Sequence, residues 1–552
     1  RTFYLYDPVS NRSGDVDINK SDPQQGDFTG TVLFDQYRSN VTGDVTVHNG
    51  TMILQNGASI GAAGNTGTFK VDPGATLVIA YEQERTIYTP KYGDMDGKTW
   101  NDPTKDVFLL GIATSTETPV FTPGVSQASH IEGDADFTNA NLRFLLPQAK
   151  LDASTPMLTV SGDVNVEGAA VNMAIPSGAA TYRPGDEIYL ITGAGTLSGV
   201  PANSSNPVTV QGKQGATITY DFQIKEDDHD LIAWLPATSP IVNPETPLIP
   251  KGSLGAVALN MAGLDMASGL ASQIRVGRGR KIFALVSGAD TRYNAGSHVH
   301  LEGATGMVGV SDDWTLDSGD LSLTGFYAHG SGDYRTTGKV GGDTISARGD
   351  ASYRGAGLLA RIEFNGDARG YPYLEGSLQG GQSRMSFHSR DLTDIDGTQA
   401  RYRLRTPYAA AHLAGGYVWN MPNDGKFEAY ANYFVVRRDS DKTTLSTGDP
   451  IEFSAVTAQR VRLGVRRNWL LNKRWRPFIG LAVEEEFFGK ARATTHGEKI
   501  DPPEIRGTNG VGEVGLRVAA TEDEALMLNL ALHGYVGDRR GGAGMFRAEY
   551  RF

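Results

Sequence analysis

Residues 542–552, GAGMFRAEYRF, alternate strictly: Phe546, Ala548, Tyr550 and Phe552 fall on one face of an extended strand, and Arg547, Glu549 and Arg551 on the other. The same period of two runs back to residue 281, in segments near ten residues long separated by Gly, Asp and Asn. In 353–364, YRGAGLLARIEF, one face holds Ala356, Leu358, Ala360, Ile362 and Phe364, and the other holds Gly355, Gly357, Arg361 and Glu363. Val461, Leu463 and Val465 alternate with Arg460, Arg462 and Arg466, and Val514, Leu516 and Val518 with Glu513, Gly515 and Arg517. Leu526, Leu528, Leu530, Leu532 and Val536 oppose Asn529, His533 and Tyr535.

About twelve such segments follow one another, near 281–294, 298–312, 319–334, 345–365, 370–388, 401–420, 426–440, 455–470, 475–491, 508–520, 524–538 and 543–552. One apolar face and one face with charges of both signs is the pattern of a barrel with lipid outside and a polar lumen inside. A soluble barrel would turn its apolar face inward, and alternation does not tell in from out. Trp314, Trp419, Trp469, Trp475, Tyr417 and Phe487 lie near strand ends. Aromatic girdles form there in membrane barrels. The reading is therefore a twelve-stranded antiparallel transmembrane β-barrel over 277–552.

Upstream, LGAVALNMAGLDMASGLASQI (254–274) carries one charge, Asp265, and many small residues. With Ser253 as N-cap it predicts a helix over 253–276, about 30 Å long at 1.5 Å per residue. Asn260, Asp265, Ser268 and the small Ala262, Gly263, Ala267 and Gly269 suit a narrow, partly wet tunnel better than lipid. Before it, ATSPIVNPETPLIPKG (237–252) holds four Pro and reads as an extended linker.

Residues 1–236 differ in kind. They are short β-prone runs rich in Gly and Asn, such as DVTVHNGTMILQNGASI (44–60), where Asn49-Gly50 and Asn56-Gly57 supply turns. A related cadence returns in LTVSGDVNVEGAAVNMAI (158–175). Such stacked strands predict a β-solenoid, with a β-sandwich as the other architecture the runs allow; no clean repeat length emerges. Residues 1–275 carry 16 Lys+Arg against 30 Asp+Glu, net −14, and residues 276–552 carry 35 against 33, net +2. Two regions in different surroundings follow from this asymmetry, and an acidic first half argues against nucleic acid. Only 39% of residues are apolar, which argues against an ordinary helical enzyme or a bundle of membrane helices. The 552 residues include no Cys, which excludes disulfides, thiolate metal sites and a Cys nucleophile. The sequence opens on Arg1 without a signal peptide and is read as a piece of something longer.

The order of acidic solenoid, Pro-rich linker, narrow helix, barrel and terminal aromatic resembles the autotransporters of type V secretion. FYLYDPV (3–9), GTVLFDQ (30–36) and 43–60 look like passenger segments of adhesin-type and polymorphic outer-membrane families. Residues from about 150 to 236, with YLITGAGTLSG (189–199), look like the final passenger rungs and the autochaperone-like segment. The resemblance implies a right-handed parallel β-helix that crosses the outer membrane of a Gram-negative bacterium through its own barrel and is displayed at the cell surface. It implies an adhesive passenger that binds host-cell receptors, a monomer in outer-membrane lipid, and periplasmic chaperones as partners. Phe546, Ala548, Tyr550 and Phe552 look like the signal read by the barrel assembly machinery.

Little chemistry is expected. The His residues of 1–275, His48, His130 and His229, show no metal or triad spacing, and no cofactor or metal is expected. Arg348-Gly349-Asp350 reads as a turn accident rather than an integrin-binding motif. The expected lumen charges are Arg361, Glu363, Arg460, Arg462, Glu484, Glu486, Glu513 and Arg517, facing helix residues Asn260 and Asp265. Some autotransporters cleave themselves in the barrel through an Asn side chain. Asn260 is the candidate here, but those relatives show an Asn-Asn pair and this chain has Asn260-Met261. A non-enzymatic translocator is the primary expectation; a self-cleaving translocator and a passive porin are the alternatives.

Overall fold

Short aliphatic strands that stack in register, rather than pair across a hairpin, build the first of two units, residues 1–243; the second is 244–552. The structure is a computed structural model. It describes the chain apart from residues 1, 6–13, 22–25, 28, 36–38, 82–84, 88–106, 110–119, 123–125, 153, 203–208, 273–275, 277–278 and 473. Part of the FYLYDPV stretch thus lies outside the described residues.

In the first unit one rung consists of Val45–Val47, Thr51–Gln55 and Ser59–Ile60, so that 44–60 is a single turn of a parallel β-helix. The next rungs are Thr68–Val71, Thr76–Ala80 and Ser129–Ile131, then Asp134–Asp136, Asn141–Leu145 and Leu158–Val160. All pair in parallel with their counterparts, which rules out the β-sandwich. Identical register stacks like on like: Met52, Leu77, Leu142 and Val171 form one buried column, and Val45, Phe69, Ala135 and Val164 another. Asn56 (φ 55°) and Gly57 (φ 77°) turn the chain between strands, as the Asn-Gly pair predicts. At Gly50 a Cβ would sit 2.4 Å from the Gly30 carbonyl oxygen, so neighbouring rungs meet there backbone to backbone.

The missing repeat length has a plain cause. Thr51, Thr76, Asn141 and Ala170 are successive register partners, and their steps of 25, 65 and 29 residues include one large insertion. The stack ends in antiparallel strands Thr209–Gln214, Ile218–Asp227 and Asp230–Trp234, with Ile241–Val242 added on Ile218–Asp227. The end of the segment read as final rungs is therefore a cap.

The second unit opens with helix α1, Leu248–Ala271. Its start corrects the sequence reading: the N-cap is Pro247 and not Ser253, and the last five residues of the expected linker are helical. Pro250 is tolerated because first-turn N–H groups have no intrahelical partner to lose. The far end falls at Ala271 rather than 276. Twelve strands then close an antiparallel barrel: β1 Lys281–Asn294, β2 His298–Leu316, β3 Gly319–Val340, β4 Asp343–Phe364, β5 Gly370–Thr393, β6 Gln399–Met421, β7 Gly425–Arg438, β8 Val456–Asn468, β9 Trp475–Gly489, β10 Gly507–Ala519, β11 Leu526–Gly537 and β12 Arg539–Arg551. β1 pairs with β12 and completes the ring.

The ring settles which face points where. Leu358, Leu463, Leu481 and Val536 are 58–71% exposed on the outside, while Arg361, Arg460 and Glu484 are at most 3% exposed inside. Several strands outrun their sequence estimates; β3 reaches Val340, β5 reaches Thr393 and β12 begins at Arg539. Arg348-Gly349-Asp350 lies inside β4, all three paired with β3 and Arg348 also with β5, and not in a turn. Two loops also build a small antiparallel sheet that the sequence did not suggest, from Asp441–Thr444, Pro450–Phe453, Ala493–Thr495 and Glu498–Lys499. We call the barrel end that holds Phe552 and the last turn of α1 the base, and the opposite end, with these loops and the first turn of α1, the rim.

Candidate functional site: the barrel lumen

A helix inside a closed ring of twelve strands must be thin, and glycine makes α1 thin where the wall is closest. A Cβ on Gly263 would lie 2.0 Å from the Tyr353 hydroxyl, one on Gly255 2.8 Å from Tyr334 Cγ, and one on Gly252 2.7 Å from the Tyr334 hydroxyl. Gly269 is less constrained, 3.2 Å from Met545 Cε. The small-residue content expected to fit a narrow tunnel thus meets a wall of tyrosines. Near the rim the Tyr402 hydroxyl donates to the Ile249 carbonyl (2.8 Å) and Lys251 Nζ to the Thr337 carbonyl (2.7 Å). Ser253, freed from capping, accepts from Arg438 Nη1 at 3.2 Å. Further down, Asn432 Nδ2 donates to Ser268 Oγ at 3.1 Å, and Arg361 Nη1 reaches the Ala271 carbonyl at 3.4 Å. A guanidinium at a helix C-terminus complements the macrodipole.

Among the described residues, three clusters of lumen charge lie around the lower half of α1, apart from the buried pairs Arg547–Glu549 and Lys281–Asp313. Asp265 is held by Arg460 (2.6 Å), Arg462 (2.9 Å) and Arg539 (3.3 Å), and Glu484 shares the first two at 3.3 and 2.7 Å. Arg361 bridges Glu375 (2.5 Å) and Glu363 (3.0 Å) and stacks on the Tyr373 ring at 3.9 Å. Arg466 bridges Glu428 (3.2 Å) and Glu513 (2.9 Å), and His533 approaches Glu513 at 3.4 Å. Buried charges of this number persist only when paired and hydrogen-bonded.

Of the predicted site residues, Asp265, Arg460, Arg462 and Glu484 meet in the first cluster, Arg361 and Glu363 in the second, and Glu513 in the third. Glu486 is buried opposite Arg460 in the register, with its Oε1 unbonded. Arg517 stands on β10 as the register partner of Arg476. Asn260 is fully buried, and neither its Nδ2 nor its Oδ1 has a hydrogen-bond partner. Among the described residues no carboxylate is hydrogen-bonded to it. Phe546, Tyr550 and Phe552 are exposed on the outer wall at the base, with Ala548 between them. Sequence reading missed Glu375, Glu428 and Arg539. The alternation of β5 and β7 carries the first two; Arg539 lay outside a last strand begun too late.

An even-stranded closed barrel with an apolar exterior, a charged lumen and a helix through it is an outer-membrane β-barrel protein. Residues 284–531 match the family model described as the autotransporter beta-domain. Its place is the outer membrane. Among solved structures, the chain is similar to the beta domain of the Bordetella autotransporter BrkA (18% identity, 50% of this chain and 100% of that one, TM-score 0.40). It is also similar to the translocator domain of NalP from Neisseria meningitidis (17%, 54% and 98%, 0.41). A third is the transport unit of AIDA-I from Escherichia coli (14%, 56% and 99%, 0.41). No curated protein matches the sequence.

Proposed function

We propose that the barrel and α1 carry the N-terminal β-helix across the outer membrane and then hold it at the cell surface. The observation that carries this reading is α1: a helix fitted glycine by glycine to the lumen wall, continuous in sequence with the β-helix at its rim end. A porin would have no use for a helix that close to its wall. The β-helix is the passenger, and its stacked sheet faces suit an adhesive role toward host-cell receptors. Assembly runs through periplasmic chaperones and the barrel assembly machinery, which reads Phe546, Ala548, Tyr550 and Phe552; the protein works as a monomer in outer-membrane lipid.

In this reading the passenger stays attached and the barrel is not an enzyme. Self-cleavage needs an acid or base near the Asn260 carboxamide. Asp265 and Glu484 are instead occupied by arginines, and the Asn260 carboxamide has no hydrogen-bond partner among the described residues. The test is a heated and an unheated gel of protein from outer membranes, with mass spectrometry of every band, plus protease treatment of intact cells. We expect one full-length species that changes mobility on heating and loses its first unit to external protease. Fragments meeting at Asn260-Met261 would show self-cleavage, and a protected first unit would remove surface display.

A further inference from the structure

The outer wall differs between its two ends. At the base Trp314, Trp419, Trp469 and Trp475 are exposed beside the turns, as at a membrane interface. Toward the rim the outward positions turn basic. On β4 the outward run Phe364, Ile362, Ala360, Leu358, Ala356 is followed by Arg354; on β6 Leu413, Ala411, Ala409 and Pro407 are followed by Arg405 and Arg403. Arg384 of β5 is the direct cross-strand partner of Arg405. These arginines form a lower tier at the edge of the apolar band.

Nearer the rim comes an unbroken ladder. Arg540 of β12 pairs with Arg292, Arg292 with His300, His300 with Arg335, Arg335 with Arg348, Arg348 with His388 and His388 with Arg401. Seven strands at about 4.8 Å spacing make a strip about 29 Å long. Like charges directly opposite destabilise a sheet, and two of the ladder's pairs, Arg540 with Arg292 and Arg335 with Arg348, set guanidinium against guanidinium. The next outward row is acidic: Asp290, Glu302, Asp333 and Asp350. Of the ladder's side chains it engages only His300 among the described residues, at 2.8 Å to Asp290 and 3.5 Å to Glu302. Arg335, Arg348, Arg354, Arg384 and Arg403 have no ion-pair partner among the described residues. Five exposed guanidiniums that close no ion pair with the neighbouring acidic row, continuous with a lipid-facing wall, suit anions supplied by the membrane.

We propose that the outer face of β3–β6 binds the phosphate groups of a phosphorylated glycolipid in the leaflet at the rim. The two tiers select that class over a plain phospholipid. Arg354 and Arg348 are six residues apart, about 20 Å along a strand and about 15 Å along the membrane normal at the usual tilt. A phospholipid headgroup layer is only about 5–8 Å deep on each side, so its phosphate reaches the lower tier alone. A lipid with phosphates on an extended sugar head reaches both.

The test uses the full chain in phosphatidylcholine vesicles doped either with lipid A carrying two phosphates and its phosphorylated core sugars, or with the same lipid dephosphorylated. Lipid kept on the protein after detergent extraction is counted by native mass spectrometry. We expect retention of the phosphorylated form only, weakening as salt rises. Replacing Arg354, Arg384 and Arg405 by Gln should weaken it about 100-fold, at the usual contribution of one basic residue to anionic-lipid binding, with Lys at the same positions largely restoring it. The heat-shift gel confirms that each variant is a folded barrel; if the Gln variant does not fold, the wild-type comparison of the two lipids decides. Equal retention of both lipids, or displacement by millimolar inorganic phosphate, overturns the proposal.

Discussion

Gly263 shows how one residue sets the diameter of a pore. Alanine is the better helix former by about 1 kcal/mol, so Gly263→Ala in an isolated helix would be stabilising. In the lumen its Cβ would meet the Tyr353 hydroxyl at 2.0 Å. We expect the clash to win, with a net loss of about 1–3 kcal/mol that lowers the temperature of the gel shift, and Tyr353→Leu to restore it in the double variant. The small size of this residue was legible in the sequence; its tyrosine partner, 90 positions away on a strand of then unknown facing, was not. His48 is a second single-residue case, in the first unit. Its imidazole lies 2.8 Å from both Asp17 and Asp72, and the Asp17 hydrogen bond, against some desolvation, raises its pKa above the ordinary value. A raised histidine pKa adds stability that is complete below the unfolded-state value and lost as pH rises through the folded-state value. Thermal unfolding of wild type and His48→Gln should therefore differ most below about pH 6 and converge above the raised value. A constant gap across pH would rule out the ion pairs as its source.

At the scale of elements, period two made the barrel legible and proline hid the start of the helix. Pro247 and Pro250 read as linker because proline interrupts helices in general, yet the first turn is the place that accepts it. Strand length was underestimated where β3 and β5 run past the apolar band, since both faces turn polar there and alternation fades. The β-helix was recognisable by its turns, but an insertion between Ala80 and Ser129 erased the period. Two measurements belong to α1. Removing 251–275 should raise single-channel conductance greatly in planar bilayers; unchanged conductance would favour the porin reading. Asp265→Asn leaves Arg460, Arg462 and Arg539 with Glu484 as their shared carboxylate. Stranding buried charge in this way costs about 3–5 kcal/mol. The heat-shift temperature should fall, while Asp265→Glu should recover part of it.

For the whole molecule, the halves obey different rules. The first unit buries columns of aliphatic side chains with little help from ion pairs, and the second exposes its apolar residues and buries its charges. This inversion was the part of the sequence most easily read, because net charge and periodicity both change near residue 275. If folding of successive rungs outside the cell draws the chain outward, a charge placed in a column should slow export. We expect Leu142→Asp, in a fully buried column, to delay surface appearance in pulse-labelled cells. Export at the wild-type rate with the first unit unfolded would sink that mechanism.

The antiparallel strands that end the β-helix have one more consequence, and it concerns crowds rather than single molecules. A parallel stack left open at its last rung offers a row of unpaired amides and carbonyls to any neighbour's stack. With Thr209–Gln214 already paired to Ile218–Asp227, that edge is spent inside the chain. Copies packed side by side would then find no place to splice along this sheet, and the other sheet ends at the same side on only the two-residue strand Leu197–Ser198.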